Sequence, residues 1–130
     1  DFARLRSGIG TQAVVDWSRC LPPGASILDI GCGTGMPVAR ALQDRGFAVH
    51  GLDPAPTLLA AFQNNLPGAP AACEPAETSN FFNRQFDAAI AIGLIFLLRE
   101  ASQIGLIGRV GRALRPGGHF LFTAPQQGCS

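Results

Sequence analysis

Short apolar runs alternate along the chain with longer segments whose apolar residues recur at helical spacing. The runs predict five strands, over residues 27–30, 48–52, 71–73, 86–92 and 119–123. The longer segments predict helices over 11–20, 37–44, 56–66 and 100–114. The third helix buries a stripe of Leu58, Leu59, Phe62 and Leu66, and the fourth a stripe of Ile104, Ile107, Gly111 and Leu114. Strands that alternate with helices are typical of a parallel sheet covered on both faces.

The corner after the first strand carries glycine at alternate positions. Residues 27–35 are Ile-Leu-Asp-Ile-Gly-Cys-Gly-Thr-Gly, so a strand runs into a tight turn and then into a helix. Glycine has no Cβ, which lets the backbone turn sharply and lets a ligand lie against it. We also expect free N–H groups at the start of the following helix to face that ligand. This combination predicts a nucleotide-binding corner.

An acidic residue at the end of the second strand makes the predicted ligand more specific. Asp53 lies 20 residues after Gly33, a spacing at which a carboxylate accepts hydrogen bonds from a ribose diol. A dinucleotide fingerprint requires glycine at position 36, where Met36 would obstruct close packing of helix and strand, so a nucleotide-dependent oxidoreductase is disfavoured. The chain has no lysine, which excludes a P-loop. An adenosine-like ligand fits best.

Four motifs in order resemble the class I S-adenosylmethionine-dependent methyltransferases. They are Asp29-x-Gly31-x-Gly33-x-Gly35, Gly51-Leu52-Asp53-Pro54, Phe86-Asp87, and Arg112-Ala113-Leu114-Arg115-Pro116-Gly117-Gly118. The resemblance covers most of the chain. It implies an α/β fold of the Rossmann-like, doubly wound type, with a mainly parallel sheet and helices on both faces.

The resemblance also implies a site for S-adenosylmethionine. Gly31 to Gly35 would lie beneath its methionine moiety, and Asp53 would bind its ribose hydroxyls. Glu74, or alternatively Glu77, would contact the adenine amino group, although either could be only a solvated acid. The implied cofactor-binding residues are Asp29, Gly31, Cys32, Gly33, Gly35, Asp53, Pro54, Glu74, Glu77, Ala91 and Gly93.

The composition of the chain bears on its number of domains, its acceptor and its cellular location. The 130 residues are 47% hydrophobic and 15% charged, which is typical of one globular domain spanning residues 1–130. A net charge of +1 implies no broad attraction to nucleic acid or to a membrane. The Asn-Pro-Pro-Tyr type motif of the DNA amino-methyltransferases is absent after the fourth strand, and the expected acceptor is a small molecule. The four cysteines lack the spacing of a zinc site or of a disulfide framework, and no signal peptide or membrane span is visible. A reducing, cytoplasmic location is therefore expected.

The expected reaction is methyl transfer from S-adenosylmethionine, a direct displacement that positioning can promote without a general base. No catalytic residue and no metal ligand can be assigned from the sequence. The alternative is a non-catalytic module that binds S-adenosylmethionine and acts through a partner. The family's full sheet has seven strands and only five are predicted here, so we expect either a longer parent protein or a homodimer joined at the apolar edge of the fifth strand.

Overall fold

The computed structural model describes residues 11–92 and 100–122. Their five strands form one parallel sheet in the order β3-β2-β1-β4-β5. The strands are β1 (Ser26–Ile30), β2 (Ala48–Leu52), β3 (Ala71–Ala72), β4 (Phe86–Ala91) and β5 (Leu114–Phe122). The helices are α1 (11–18), α2 (Val38–Asp44), α3 (Pro56–Asn65) and α4 (Glu100–Arg112), with a 3-10 turn at Phe81–Asn83. The predicted Rossmann-like architecture is confirmed.

The sheet separates two layers of core. Successive side chains of a strand point to opposite faces, so Ile27 packs with α1, α2 and α3, while Leu28 packs with α4. Both residues are fully buried. The chain builds β2 and β3 on one side of β1 and then returns to place β4 on the other side. Open α/β sheets bind their ligands at such a reversal, outside the carboxyl ends of the strands.

The predicted buried face of α4 is wrong. Ile104 is 68% exposed, whereas Leu106 and Val110 pack against the sheet. A Cβ added at Gly105 would meet no atom within 4 Å, so the helix glycines do not bring α4 closer to the sheet. Leu58 of α3 is likewise exposed, not part of that helix's buried stripe. Within the described residues, no helix is long and apolar enough to cross a membrane.

The last two motifs of the sequence meet at the start of β4 and β5. The Asp87 carboxylate accepts hydrogen bonds from the N–H of Ser26 at 2.9 Å and from Nη1 of Arg115 at 2.6 Å. The Ser26 hydrogen bond, followed by the Arg115 contacts, holds the pKa of Asp87 below its usual range. Asp87 thereby joins β1, β4 and β5. The pairing of β4 with β5 continues through a register shift beside Asp87. For this reason β5 begins at Leu114, whereas the sequence predicted a start at residue 119.

Candidate cofactor-binding site

The loop between β1 and α2 is a tight turn fixed to the end of β2. Gly31, Gly33 and Gly35 all have positive φ, at 74°, 57° and 81°, in the region that favours glycine. The N–H groups of Gly31 and Cys32 both donate to the carbonyl oxygen of Leu52, at 2.7 and 3.0 Å. The loop therefore keeps a fixed position over the carboxyl ends of β1 and β2.

Gly33 and Gly35 of this loop have different surroundings. A Cβ added at Gly33 would meet no atom within 4 Å, so this residue faces open space. A Cβ at Gly35 would lie 2.5 Å from the side chain of Leu66, just after α3, and 2.8 Å from the side chain of Phe62 in α3. Glycine is therefore the residue that fits at position 35 without displacing these side chains. Gly51 of β2 is under the same constraint from the Phe62 ring. The sequence predicts that Gly35 lies against the ligand, and the structure adds a packing reason for glycine at this position.

Asp53 is joined to the glycine loop. Its side chain is buried, with the residue 7% exposed. One carboxylate oxygen, Oδ2, accepts from the N–H of Gly33 at 2.9 Å, and Oδ1 accepts from the N–H of Ala55 at 2.9 Å. Each carboxylate oxygen can accept more than one hydrogen bond, so these contacts leave capacity for a ligand's hydroxyls. The acid predicted to bind ribose thus lies beside the open face of Gly33.

Most N–H groups of the loop itself donate to acceptors within the protein. Besides the Leu52 and Asp53 contacts, Gly35 donates to the carbonyl of Cys32 at 3.0 Å, and Met36 donates to Oγ1 of Thr34 at 3.3 Å. The Asn65 side chain braces the loop by donating to the Thr34 carbonyl at 2.9 Å. The sequence predicted that Met36 would obstruct packing of helix on strand. In the structure the residue is 53% exposed and does not obstruct this packing. The loop therefore offers a ligand mainly an open surface at Gly33.

Asp29 lies buried beneath this loop, on the same face of β1 as Ile27. The residue is 5% exposed, and among the described residues no group donates a hydrogen bond to its carboxylate. Burial first, and then the neighbouring Asp53 charge, raise its pKa to about 7. A cationic group bound nearby would favour the charged form of Asp29. Burial also raises the pKa of the Cys32 thiol, with Asp29 and Asp53 adding to it, so Cys32 stays protonated.

The raised pKa of Asp29 predicts a specific pH dependence of stability. Because the folded-state pKa lies above the unfolded value, the contribution of Asp29 to stability is full in acid and is lost as the pH rises through about 7. Asp29→Asn removes this titration. Between pH 5 and pH 8, the free energy of unfolding of the wild type should fall relative to that of the variant by roughly 2 to 3 kcal/mol. Urea unfolding at both pH values measures this difference, and parallel pH profiles would contradict it.

The remaining predicted site residues are spread around the same edge of the sheet. Pro54 follows Asp53 and is exposed, and Ala91 is buried at the end of β4. The half-buried Glu74 accepts a hydrogen bond at 2.5 Å from Oγ of Ser79, while Glu77 is exposed. Gly93 and the apolar segment 93–97 lie outside the described residues. The structure therefore brings together Asp29, the glycine loop and Asp53.

Two features that support the site were not predicted from the sequence. One is the pair of close contacts that Phe62 makes beneath Gly35 and Gly51. The other is the hydrogen bond of Asn65 to the loop. Both residues lie on α3, about 30 positions after the loop in the sequence. Phe62 was predicted to be buried, but the pattern gave no signal of what it packs against.

This geometry can be compared with that of known proteins. Residues 27–118 match the model of the family described as "Methyltransferase domain". The chain belongs to this family of S-adenosylmethionine-dependent methyltransferases. The matched segment begins in β1 and ends in β5, so it includes Asp29, the glycine loop and Asp53.

Methyltransferases with different acceptors are similar to this chain. The tRNA U34 carboxymethyltransferase of Hahella chejuensis is 30% identical over 115 residues, a match that covers 81% of this chain and 35% of that protein. A TehB-like S-adenosylmethionine-dependent methyltransferase from Corynebacterium glutamicum is 26% identical, with a TM-score of 0.76, over 87% of this chain and 60% of that one.

A third similar protein has S-adenosylmethionine bound. It is CalS10, an amino pentose methyltransferase from Micromonospora echinaspora, which is 26% identical with a TM-score of 0.73. The match covers 89% of this chain and 50% of CalS10. The chain thus spans between about a third and three fifths of the length of these three relatives.

Proposed function

We propose that this chain binds S-adenosylmethionine over the glycine loop and that the protein transfers its methyl group to a small-molecule acceptor. The observation that carries the proposal is the open face of Gly33 beside the buried carboxylate of Asp53. A Cβ at Gly33 would occupy space that no described protein atom fills, which is the property expected of a backbone cradle. S-adenosylmethionine would supply an electrophilic methyl group attached to a sulfonium.

The residues of this chain would have separate tasks. Gly31 and Gly33 give the ligand a surface to lie on, and Asp53 accepts hydrogen bonds from the ribose hydroxyls. Asp29 would offer negative charge to a cationic ligand, which is supported by its burial without a hydrogen-bonding partner among the described residues. Glu74, with Glu77 as the alternative, is proposed to accept from the adenine amino group. We assign no general base, because positioning and exclusion of water are the main needs of a direct displacement.

The acceptor and the cellular setting are proposed from a relative of the chain and from its charge and free thiols. An amino pentose is the acceptor named for CalS10, which supports a small molecule, and the net charge of +1 supports it over nucleic acid. The tRNA relative supplies the contrasting acceptor against which this is tested. We further propose that residues 1–130 act as one domain in a reducing, cytoplasmic environment, where the free thiols of Cys20, Cys32 and Cys73 would persist.

The ribose contact of Asp53 can be separated from its structural contact with the loop. S-adenosylhomocysteine and its 2′-deoxy analogue are titrated into the wild type and into Asp53→Ala. If Asp53 binds the ribose hydroxyls, the wild type should prefer the ribose form by at least about tenfold, because a charge-assisted hydrogen bond contributes about 1.5 to 3 kcal/mol.

The variant should bind both ligands more weakly and discriminate less than about twofold between them. Equal discrimination by the wild type and the variant would show that Asp53 positions the loop without touching the ribose. An Asp44→Asn variant is the control for removal of one exposed carboxylate outside the proposed site.

Transfer of a labelled methyl group distinguishes an enzyme from the alternative, a non-catalytic binding module. The wild type is incubated with methyl-labelled S-adenosylmethionine and with amino sugars, tRNA or protein extract as acceptors. Label that moves to an amino sugar supports the proposal. Label that moves only to tRNA would contradict the acceptor class, and tight binding without any transfer would favour the module.

We extend the proposal to the edge of the sheet. Among the strands that the structure describes, β5 is the last in the sheet order, and an edge strand offers backbone donors and acceptors to a further strand. A second copy of this chain could pair there and form a homodimer. Light scattering at several concentrations measures the mass, and a monomer at all of them would contradict this extension.

A further inference from the structure

A second cavity lies at the end of the sheet opposite the glycine loop. Its volume is about 420 Å³, and it is bounded by the turn before β4 and by the last residues of α4. The glycine loop follows the carboxyl end of β1, whereas this cavity adjoins the amino end of β4, which is parallel to β1. The lining residues are Ser79, Asn80, Phe81, Asn83, Arg84, Gln85, Arg109, Arg112 and Ala113.

The lining is strongly basic. It contains three arginines and three side-chain amides but no carboxylate. Among the described residues, Arg19, Arg40 and Arg115 form ion pairs with aspartates, whereas the three cavity arginines pair with no acid. This concentration of positive charge contrasts with the net charge of only +1 for the whole chain. Guanidinium groups present a fork of N–H donors that matches the oxygens of a phosphate.

Arg109 fixes one wall of the cavity. Its guanidinium donates to the carbonyl oxygens of Ala76 and Ser79, and it lies 4.9 Å from the centre of the Phe81 ring. These contacts use part of its five N–H donors and hold its position. Arg84 is placed by its hydrogen bond to the Gln85 carbonyl at 3.0 Å and by the Phe86 ring at 4.7 Å. Two of the three charges are therefore held by the protein before any ligand arrives.

The turn that lines the cavity has an unusual backbone. Phe81, Phe82 and Asn83 have φ values of 52°, 61° and 52°, so three consecutive residues other than glycine lie in the left-handed region. This conformation is unfavourable for side chains as large as phenylalanine and persists only where neighbouring contacts impose it. Such contacts exist here, since Oγ of Ser79 accepts from the Phe81 N–H at 2.9 Å. The protein thus maintains a strained turn at the wall of a basic cavity.

We propose that this cavity, lined by Arg84, Arg109 and Arg112, is a binding site for phosphate-bearing anions, separate from the cofactor site. Its volume admits a group larger than one phosphate, so a diphosphate or a phosphate ester fits the space and the charge. The proposal does not depend on the proposed methyl transfer.

Calorimetric titration with pyrophosphate tests the site. At physiological ionic strength, the wild type should bind with a Kd below about 1 mM. Arg112→Gln should weaken binding at least about fivefold, because it removes a charged donor from the cavity. Arg112 is exposed, and its side chain makes no hydrogen bond or ion pair with another described residue, so its replacement should leave the fold intact. The double variant Arg84→Gln with Arg112→Gln should bind no pyrophosphate.

Arg45→Gln is the matched control. Arg45 is exposed, forms no ion pair with the described residues and lies outside the cavity, so its replacement changes the net charge equally. It should alter pyrophosphate affinity less than about twofold. All variants should keep the wild-type affinity for S-adenosylhomocysteine, and their melting temperatures report folding. Failure of the wild type to bind pyrophosphate, or equal losses in Arg45→Gln and Arg112→Gln, would overturn the proposal.

A parallel titration with a short RNA duplex identifies the source of the phosphate. Tighter binding of RNA than of pyrophosphate, lost in Arg112→Gln but not in Arg45→Gln, would assign the cavity to a nucleic-acid backbone. Binding of pyrophosphate alone would assign it to small phosphorylated molecules. Either result supports an anion site at these arginines.

Discussion

Gly33→Val is expected to abolish binding of S-adenosylmethionine and to leave the protein folded. The open space above Gly33 is where the ligand is proposed to lie, and a valine side chain would fill it. The substitution also forces a β-branched residue to a φ of 57°, which costs about 1 to 2 kcal/mol of stability. A folded domain can tolerate that loss, whereas the ligand cannot share the space.

Gly24→Val controls for the backbone strain. Gly24 precedes β1, has a φ of 75° and also has no atom within 4 Å of an added Cβ. This variant should lose similar stability and keep its affinity for S-adenosylmethionine. Calorimetry measures affinity, and circular dichroism with thermal melting measures folding. Normal binding by Gly33→Val, or equal loss of binding by both variants, would contradict the assignment of the cradle to Gly33.

Gly51→Ala is expected to cause the largest loss of stability. An added Cβ would lie 2.8 Å from Cε1 and Cε2 of Phe62 and closer still to Cζ. Phe62 is fully buried, so its ring cannot move without disturbing the core beneath the glycine loop. Overpacking of this kind costs about 1 to 3 kcal/mol, and the position of β2 between two strands, against a fully buried ring, places the expected loss near 3 kcal/mol.

Gly105→Ala is the opposite case and serves as the control. Gly105 lies in α4 with open space around an added Cβ, so alanine should stabilise the protein by up to about 1 kcal/mol through helix propensity. Combining Gly51→Ala with Phe62→Leu should restore part of the lost stability, because the smaller side chain makes room. Urea unfolding gives all three values. Unchanged stability of Gly51→Ala would show that the Phe62 ring does not constrain β2.

The sequence predicted the strands better than it predicted the packing around the glycine loop. β2 runs over residues 48–52 as predicted. A short apolar run between a helix-ending glycine and an aspartate predicts a strand with clear ends. The alternation of glycines predicted the loop, but it could not separate Gly33 from Gly35. That difference depends on Phe62 and Leu66, which belong to another helix and enter the loop's surroundings only on folding.

Periodicity gave the wrong face of α4 for a related reason. Ile104 and Ile107 have helical spacing, but so do Leu106 and Val110, and only the sheet decides between the two sets. The basic cavity could not be predicted from local patterns at all. Its arginines come from residue 84 and from residues 109 and 112, and the fold brings these two segments together.

Calorimetric titration of the wild type with S-adenosylmethionine and NAD, run side by side, tests the central claim most directly. The glycine loop, Asp29 and Asp53 are proposed to hold one molecule of S-adenosylmethionine. We expect saturable binding of S-adenosylmethionine with one site per chain and no measurable binding of NAD under the same conditions. Tighter binding of NAD, or no binding of S-adenosylmethionine by a folded protein, would contradict it.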